Sequence, residues 1–186
     1  MISELGKNSN VLAISPNYIR RIAKLPNDPD YDQLWGMKKI SAPKAWNSTY
    51  NASDVVVAVI DTGVDYTHED IAPNMWINIE EKLDGIDNDN NGYVDDIYGI
   101  NAMDNSGAPM DNEGHGTHVS GTIGAAGNNG KYVTGVNWDV QIMALKFIGP
   151  DSGKDSDAVQ CLDYIMQQKE KGINILLKIP FKREFA

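Results

Sequence analysis

Val55-Val-Val-Ala-Val-Ile60, followed at once by Asp61-Thr-Gly63, decides the fold class of this chain. Six apolar residues in a row, five of them β-branched, predict a strand buried on both faces, as in a parallel sheet. Gly63 permits the sharp turn that ends it. Outward from this run, residues 140–148 and 173–177 read as two further strands. Between them Ala158, Val159, Leu162, Ile165 and Met166 recur at helical spacing over residues 156–171. Asp155 or Ser156 suits the start of that helix as a cap, and Gly172 suits the position just past its end. Upstream, Pro43 fits the first turn of a short helix within residues 35–46. Strands alternating with helices predict an α/β fold, a parallel sheet flanked by helices with right-handed crossovers.

The chain has 186 residues, enough for one sizeable core and most simply one domain. Its net charge of −10 argues against nucleic acid as a partner, because phosphate binding needs clustered Lys and Arg. Between Asp84 and Glu113 stand eight acidic residues and no basic one, which suits either a solvated loop or a hard cation such as calcium. The lone Cys161 excludes an intrachain disulfide framework and falls in the apolar pattern of the 156–171 helix, where a small buried residue is expected. No run approaches the roughly 20 apolar residues of a membrane span. No signal peptide is visible from Met1 to Asn10.

In open α/β sheets functional groups collect just beyond the C-terminal ends of strands, where Asp61 stands. An Asp before Thr-Gly is equally at home as a turn residue bonding nearby amides. It also suggests an aspartic protease, but that chemistry needs a second carboxylate sharing a proton, and no second Asp-Thr/Ser-Gly exists here. The second informative string is Gly114-His115-Gly116-Thr117-His118-Val119-Ser120-Gly121-Thr122, an imidazole among small neighbours. A zinc hydrolase built on His115 and His118 is the weaker reading, because neither belongs to a His-Glu-x-x-His pattern.

Taken together, Val57-Ala-Val-Ile-Asp-Thr-Gly-Val-Asp65, His68-Glu-Asp70 and the Gly-His-Gly-Thr-His-Val string resemble the Asp and His elements of the subtilisin-like serine proteases. The resemblance implies a subtilisin-like three-layer fold, with Asp61 as the triad aspartate and His115 as the general base. Protein or peptide substrates and the chain's own propeptide follow as expected partners. His118, three residues on, is expected to pack or hydrogen-bond structurally. Serine is a weak nucleophile until an imidazole takes its proton, and a carboxylate fixes that imidazole's tautomer.

The family's Gly-Thr-Ser-Met-Ala type element has no match among the 186 residues. After His115 the only serines are Ser120, Ser152 and Ser156, none in a nucleophile context. The oxyanion-hole asparagine, of a kind worth about 3–4 kcal/mol, is also without a match. Val11-Leu-Ala-Ile-Ser-Pro-Asn-Tyr18 is similar to the last strand of the family's propeptide. The expected organisation is therefore a propeptide tail over 1–22, part of the peptidase domain over 23–175, and an aberrant tail over 176–186. The sheet is expected to be incomplete on its C-terminal side. A frameshift or gene-model break near Leu176 is the expected cause, and a secreted parent protein the expected context. The alternative for these residues is a catalytically dead, calcium-binding remnant.

Calcium is the expected cofactor. Asp87-Asn-Asp89-Asn-Asn91-Gly92-Tyr-Val-Asp95 places oxygen ligands at alternating positions, like the first half of an EF-hand loop. The twelfth position is Tyr98 instead of Glu, so Asp96 or Asp84 is expected to substitute. The family resemblance implies a second site, with Asp70, Asn129 and Asp28 as ligands.

Overall fold

The buried run lies within β1, Asn51–Asp61. Side chains alternate across a strand, so Val56, Ala58 and Ile60 face one core while Val57 and Val59 face another. Burial on both faces thus makes β1 a divider between two apolar layers. In the computed structural model, which describes residues 24–179, β1 lies inside a four-stranded sheet with β2 (Gly99–Asn101), β3 (Asp139–Lys146) and β4 (Ile175–Lys178). The order is β2-β3-β1-β4, and every pairing is parallel. The expected propeptide tail over 1–22, and residues 180–186 of the expected aberrant tail, lie outside the described residues.

The described chain also holds four α-helices, α1 (Trp35–Lys39), α2 (Ala42–Trp46), α3 (His115–Gly124) and α4 (Asp155–Glu170), and two short 3-10 helices, Tyr31–Gln33 and Ala72–Asn74. From α4, Cys161, Tyr164 and Ile165 pack with Ala58, Ile60, Met143 and Leu145. From α3, Val119 and Ile123 pack on Val59, Ile142 and Ala144 on the opposite face. Helix, sheet and helix form the three layers expected. Each fully buried Val, Ile or Leu contributes about 1.5–3 kcal/mol, so both faces of β1 add to the stability of the sheet. Cys161 is fully buried, and burial pushes its thiol up to about 12, which suits packing and not nucleophilic chemistry.

One local feature differs from expectation. The N-cap of α4 is Lys154, with no side-chain capping bond, in place of Asp155 or Ser156. The chain enters the helix one residue early, so Asp155 and Asp157 sit in the first turn, where their charge complements the helix dipole. At the other end of the domain, β4 pairs residues 175–178 with β1 residues 56–59.

Candidate active site

Asp61 ends β1 and is fully buried, while His115 opens α3 with its side chain 60% exposed. The Asp61 Oδ1 oxygen lies 2.6 Å from His115 Nδ1 and also accepts the Thr62 amide at 2.8 Å. Since a carboxylate can only accept, the shared proton belongs on Nδ1 and the Nε2 lone pair is the free one. This close approach depends on Gly116. A Cβ there would overlap the Gly63 carbonyl oxygen, so only glycine lets α3 reach the end of β1.

A second carboxylate, unnoticed in the sequence, holds the junction. Thr62 Oγ1 accepts the Gly116 amide at 2.9 Å and donates to Asp111 Oδ1 at 2.9 Å. The same oxygen of Asp111 accepts the amides of Glu113 and Gly114, while Oδ2 accepts the amide and hydroxyl of Thr117. Burial opposes ionisation of Asp111, but the Thr117 hydroxyl and the backbone amides outweigh it and hold the carboxyl below the ordinary range. A polar residue four positions before His115 was the available signal in the sequence. A third charged group was equally unforeseen: Lys178 Nζ lies 3.1 Å from Asp61 Oδ2.

Ser120 is fully buried on α3 and its hydroxyl has no hydrogen-bond partner. Ser152 and Ser156 are exposed at and just before the start of α4. Among the described residues no serine hydroxyl bonds the His115 ring. His118 is exposed, and it lines a separate cavity of about 620 Å³ with Trp35, Met37, His68 and Val133, away from the Asp61–His115 pair.

In the acidic loop the structure brings together a partly different set from the one the spacing suggested. Glu81, Asp89 and Asp96 offer carboxylate oxygens within 4.8 Å of one another. Asp96 is fully buried and accepts Tyr164 Oη at 2.5 Å and Asn91 Nδ2 at 2.9 Å. Burial pushes its carboxyl above the ordinary range, and hydrogen bonds from Tyr164 and Asn91 only partly offset this. Glu81 is only 6% exposed; its Oε1 accepts the Asn88 and Asp89 amides, while its Oε2 has no partner. Such a buried, unsatisfied carboxyl oxygen beside two other acidic side chains fits a divalent cation. Lys171 supplies one positive charge, 2.7 Å from Asp89 Oδ2.

The remaining loop candidates hydrogen-bond within the loop. Asp87 accepts the amides of Asn91 and Gly92, and Asp95 turns its Oδ1 to the amides of Asp84 and Gly85. Asn91 places its amide nitrogen on Asp96 and its oxygen on the Tyr93 amide. Asp28, Asp70 and Asn129 do meet. Asn129 Nδ2 donates to Asp70 Oδ1 at 2.9 Å, and its backbone amide donates to Asp28 Oδ1 at 3.1 Å. The other oxygens of Asp28 and Asp70 accept the amides of Asn128 and Val133.

The sequence pattern of the subtilase family, peptidase S8, matches residues 52–176. Subtilisin-like protease 1 of Plasmodium berghei (strain Anka) is 37% identical over 153 residues, covering 80% of this chain and 26% of that protein. The halolysin-like extracellular serine protease Nep of Natrialba magadii is 30% identical over 158 residues, covering 83% of this chain and 26% of that protein. Among solved structures, a protease from Pseudoalteromonas arctica superposes with a TM-score of 0.55 at 27% identity, over 75% of this chain and 43% of that one. The chain thus spans about a quarter of the length of these two curated relatives.

Proposed function

The chain belongs to the subtilase family, and we propose that it supplies the aspartate and histidine of a serine endopeptidase that cleaves protein or peptide substrates. The observation that carries this reading is the 2.6 Å contact between His115 Nδ1 and the buried Asp61 carboxylate. With the Nδ1 proton held by Asp61, Nε2 is poised to take a proton from a serine hydroxyl. That hydroxyl attacks the scissile carbonyl to form an acyl-enzyme, and the imidazolium returns the proton to the leaving amine. Asp61 stabilises the imidazolium in between. Among the described residues no second carboxylate contacts Asp61, so the aspartic protease reading has no support there. The three-carboxylate group in the acidic loop includes neither His115 nor His118, which gives a zinc hydrolase no support among the described residues.

The nucleophile is not supplied by Ser120, Ser152 or Ser156. The 186 residues by themselves are therefore proposed to be inactive. Treating them with a fluorophosphonate probe is expected to give no covalent adduct; robust labelling of any of those three serines would overturn this. In any longer product of the same gene that hydrolyses peptides, Asp61→Asn is expected to lower kcat by about 10⁴. Unchanged turnover would remove Asp61 and His115 from the chemistry.

Calcium is proposed as a structural cofactor. In the acidic loop Asp89 would hold it together with Glu81 and Asp96, with Asp87, Asn91 and Asp95 shaping the loop. Asp28, Asp70 and Asn129 would serve a second site. The ion would supply positive charge to buried carboxylates and take no part in peptide hydrolysis. An inhibitory propeptide ending within residues 1–22 and a secreted parent protein belong to the same proposal, the latter supported by the extracellular relative. Among the described residues no helix is long and apolar enough to cross a membrane.

A further inference from the structure

Asp61 faces two nitrogen groups with opposite demands. Its Oδ1 meets His115 Nδ1 at 2.6 Å, and its Oδ2 meets Lys178 Nζ at 3.1 Å. The lysine arrives there through strand register. In β4, Lys178 pairs with Val59, two residues before the end of β1, so its flexible stem runs forward along the strand to the terminal carboxylate. The Lys178 side chain is 30% exposed and the Asp61 side chain 1% exposed, so water screens their attraction only in part.

The other charged groups around Asp61 are already committed. Lys146, opposite Asp61 in β3, is buried and donates its Nζ to the Met110 carbonyl at 2.8 Å. Asp111 reaches the neighbourhood only through Thr62, and both its oxygens are taken by amides and hydroxyls. Among the described residues Lys178 is the one permanent cation in contact with the Asp61 carboxylate.

We propose that Lys178 is a positioning residue that restrains the general base: its ammonium shares the Asp61 carboxylate with His115 and opposes the positive charge that His115 must acquire. When His115 takes a proton, an imidazolium forms on one carboxylate oxygen while an ammonium already occupies the other. A lone carboxylate then answers two cations, and part of the stabilisation that Asp61 gives the imidazolium is lost. Lys178 fixes the rotation of the carboxylate in the same act, so the pair is also held in geometry. This inference rests on the proposed base role of His115 only for its catalytic meaning. The charge coupling stands or falls without it.

The test is a proton NMR titration of the His115 ring in the 186-residue protein and in Lys178→Met and Lys178→Arg. Removing the ammonium favours the protonated ring, so the Met variant is expected to titrate at higher pH than the parent, by about one pH unit. The Arg variant keeps the charge and is expected to titrate with the parent. Coincident midpoints for parent and Met variant would overturn the proposal, as would an Arg variant that follows Met. Should Lys178→Met not fold, competitive acetylation of the parent reads the same contact. Lys178 is expected to react severalfold more slowly than the exposed Lys154, with the protection lost in Asp61→Asn. Equal rates for the two lysines in the parent, or protection retained in Asp61→Asn, would sink the idea. Loss of the peptidase reading would leave the titration shift intact, so the two failures are distinguishable.

Discussion

Asp111 bears more of the site's geometry than its partly exposed position suggests. It accepts hydrogen bonds from Thr62, Glu113, Gly114 and Thr117, tying the end of β1 to the start of α3. Charge-assisted hydrogen bonds contribute about 1.5–3 kcal/mol each before losses to solvent, and they are not additive. Asp111→Ala is therefore expected to lower unfolding free energy by about 2–3 kcal/mol, measured by urea denaturation near neutral pH. The pH dependence has a defined sign. A carboxyl lowered in the folded state contributes stability that is present above its unfolded pKa. That stability is lost as pH falls through the folded value, below the ordinary carboxylate range. The difference between parent and Asp111→Ala should accordingly shrink on acidification; a gap that persists in strong acid would refute the charge-based account.

At the scale of elements, the site exists because α3 and β1 touch at a glycine. Gly116→Ala drives a methyl group into the Gly63 carbonyl, and helix and strand must separate. Overpacking of this kind costs about 1–3 kcal/mol. The expected outcome is a lower thermal midpoint together with loss of the downfield Nδ1 proton signal of His115. A variant that keeps both would show that the helix can shift without disturbing the pair.

The acidic loop makes the second element-level case. Burial raises the Asp96 carboxyl, so without a cation its contribution favours folding at low pH and is lost as pH rises through its folded value. The proposed divalent cation would reverse that penalty. Calcium at about 100 times its dissociation constant would add about 2.7 kcal/mol. Removing it with a chelator near neutral pH is expected to lower the melting temperature by about 5–10 °C. Asp96→Asn should abolish the calcium response, and Asp95→Asn, which alters a turn carboxylate, should leave it. The reverse pattern would return the site to the alternating positions read from sequence.

At the scale of the molecule, the four strands among the described residues leave two edges, one at β2 and one at β4. Leu176 and Leu177 of β4 are 60% and 47% exposed, a poor arrangement for a sheet margin. The cores on either side of β1 are nonetheless well buried. For the 186 residues alone a broad, weakly cooperative thermal transition is expected, because the edge strand contributes little apolar burial. A sharp calorimetric transition with equal calorimetric and van't Hoff enthalpies would contradict it.

Sequence by itself determined what short contiguous strings can carry. The β-branched run dictated a doubly buried strand, and the alternation within it sent side chains to two cores. Asp61-Thr-Gly63 and Gly114-His115-Gly116 pointed to the pair through their resemblance to the Asp and His elements of the subtilisin-like serine proteases. Tertiary structure alone decided which distant groups meet them. Lys178 reaches Asp61 through the register of β4 on β1, 117 residues away along the chain, and no local pattern encodes that register. Asp96 joins Glu81 and Asp89, while Asp95 beside it turns to backbone amides, because adjacent residues in a tight loop point in different directions. Spacing counts ligands along the chain, whereas a carboxylate's partners are set by what the fold packs against it.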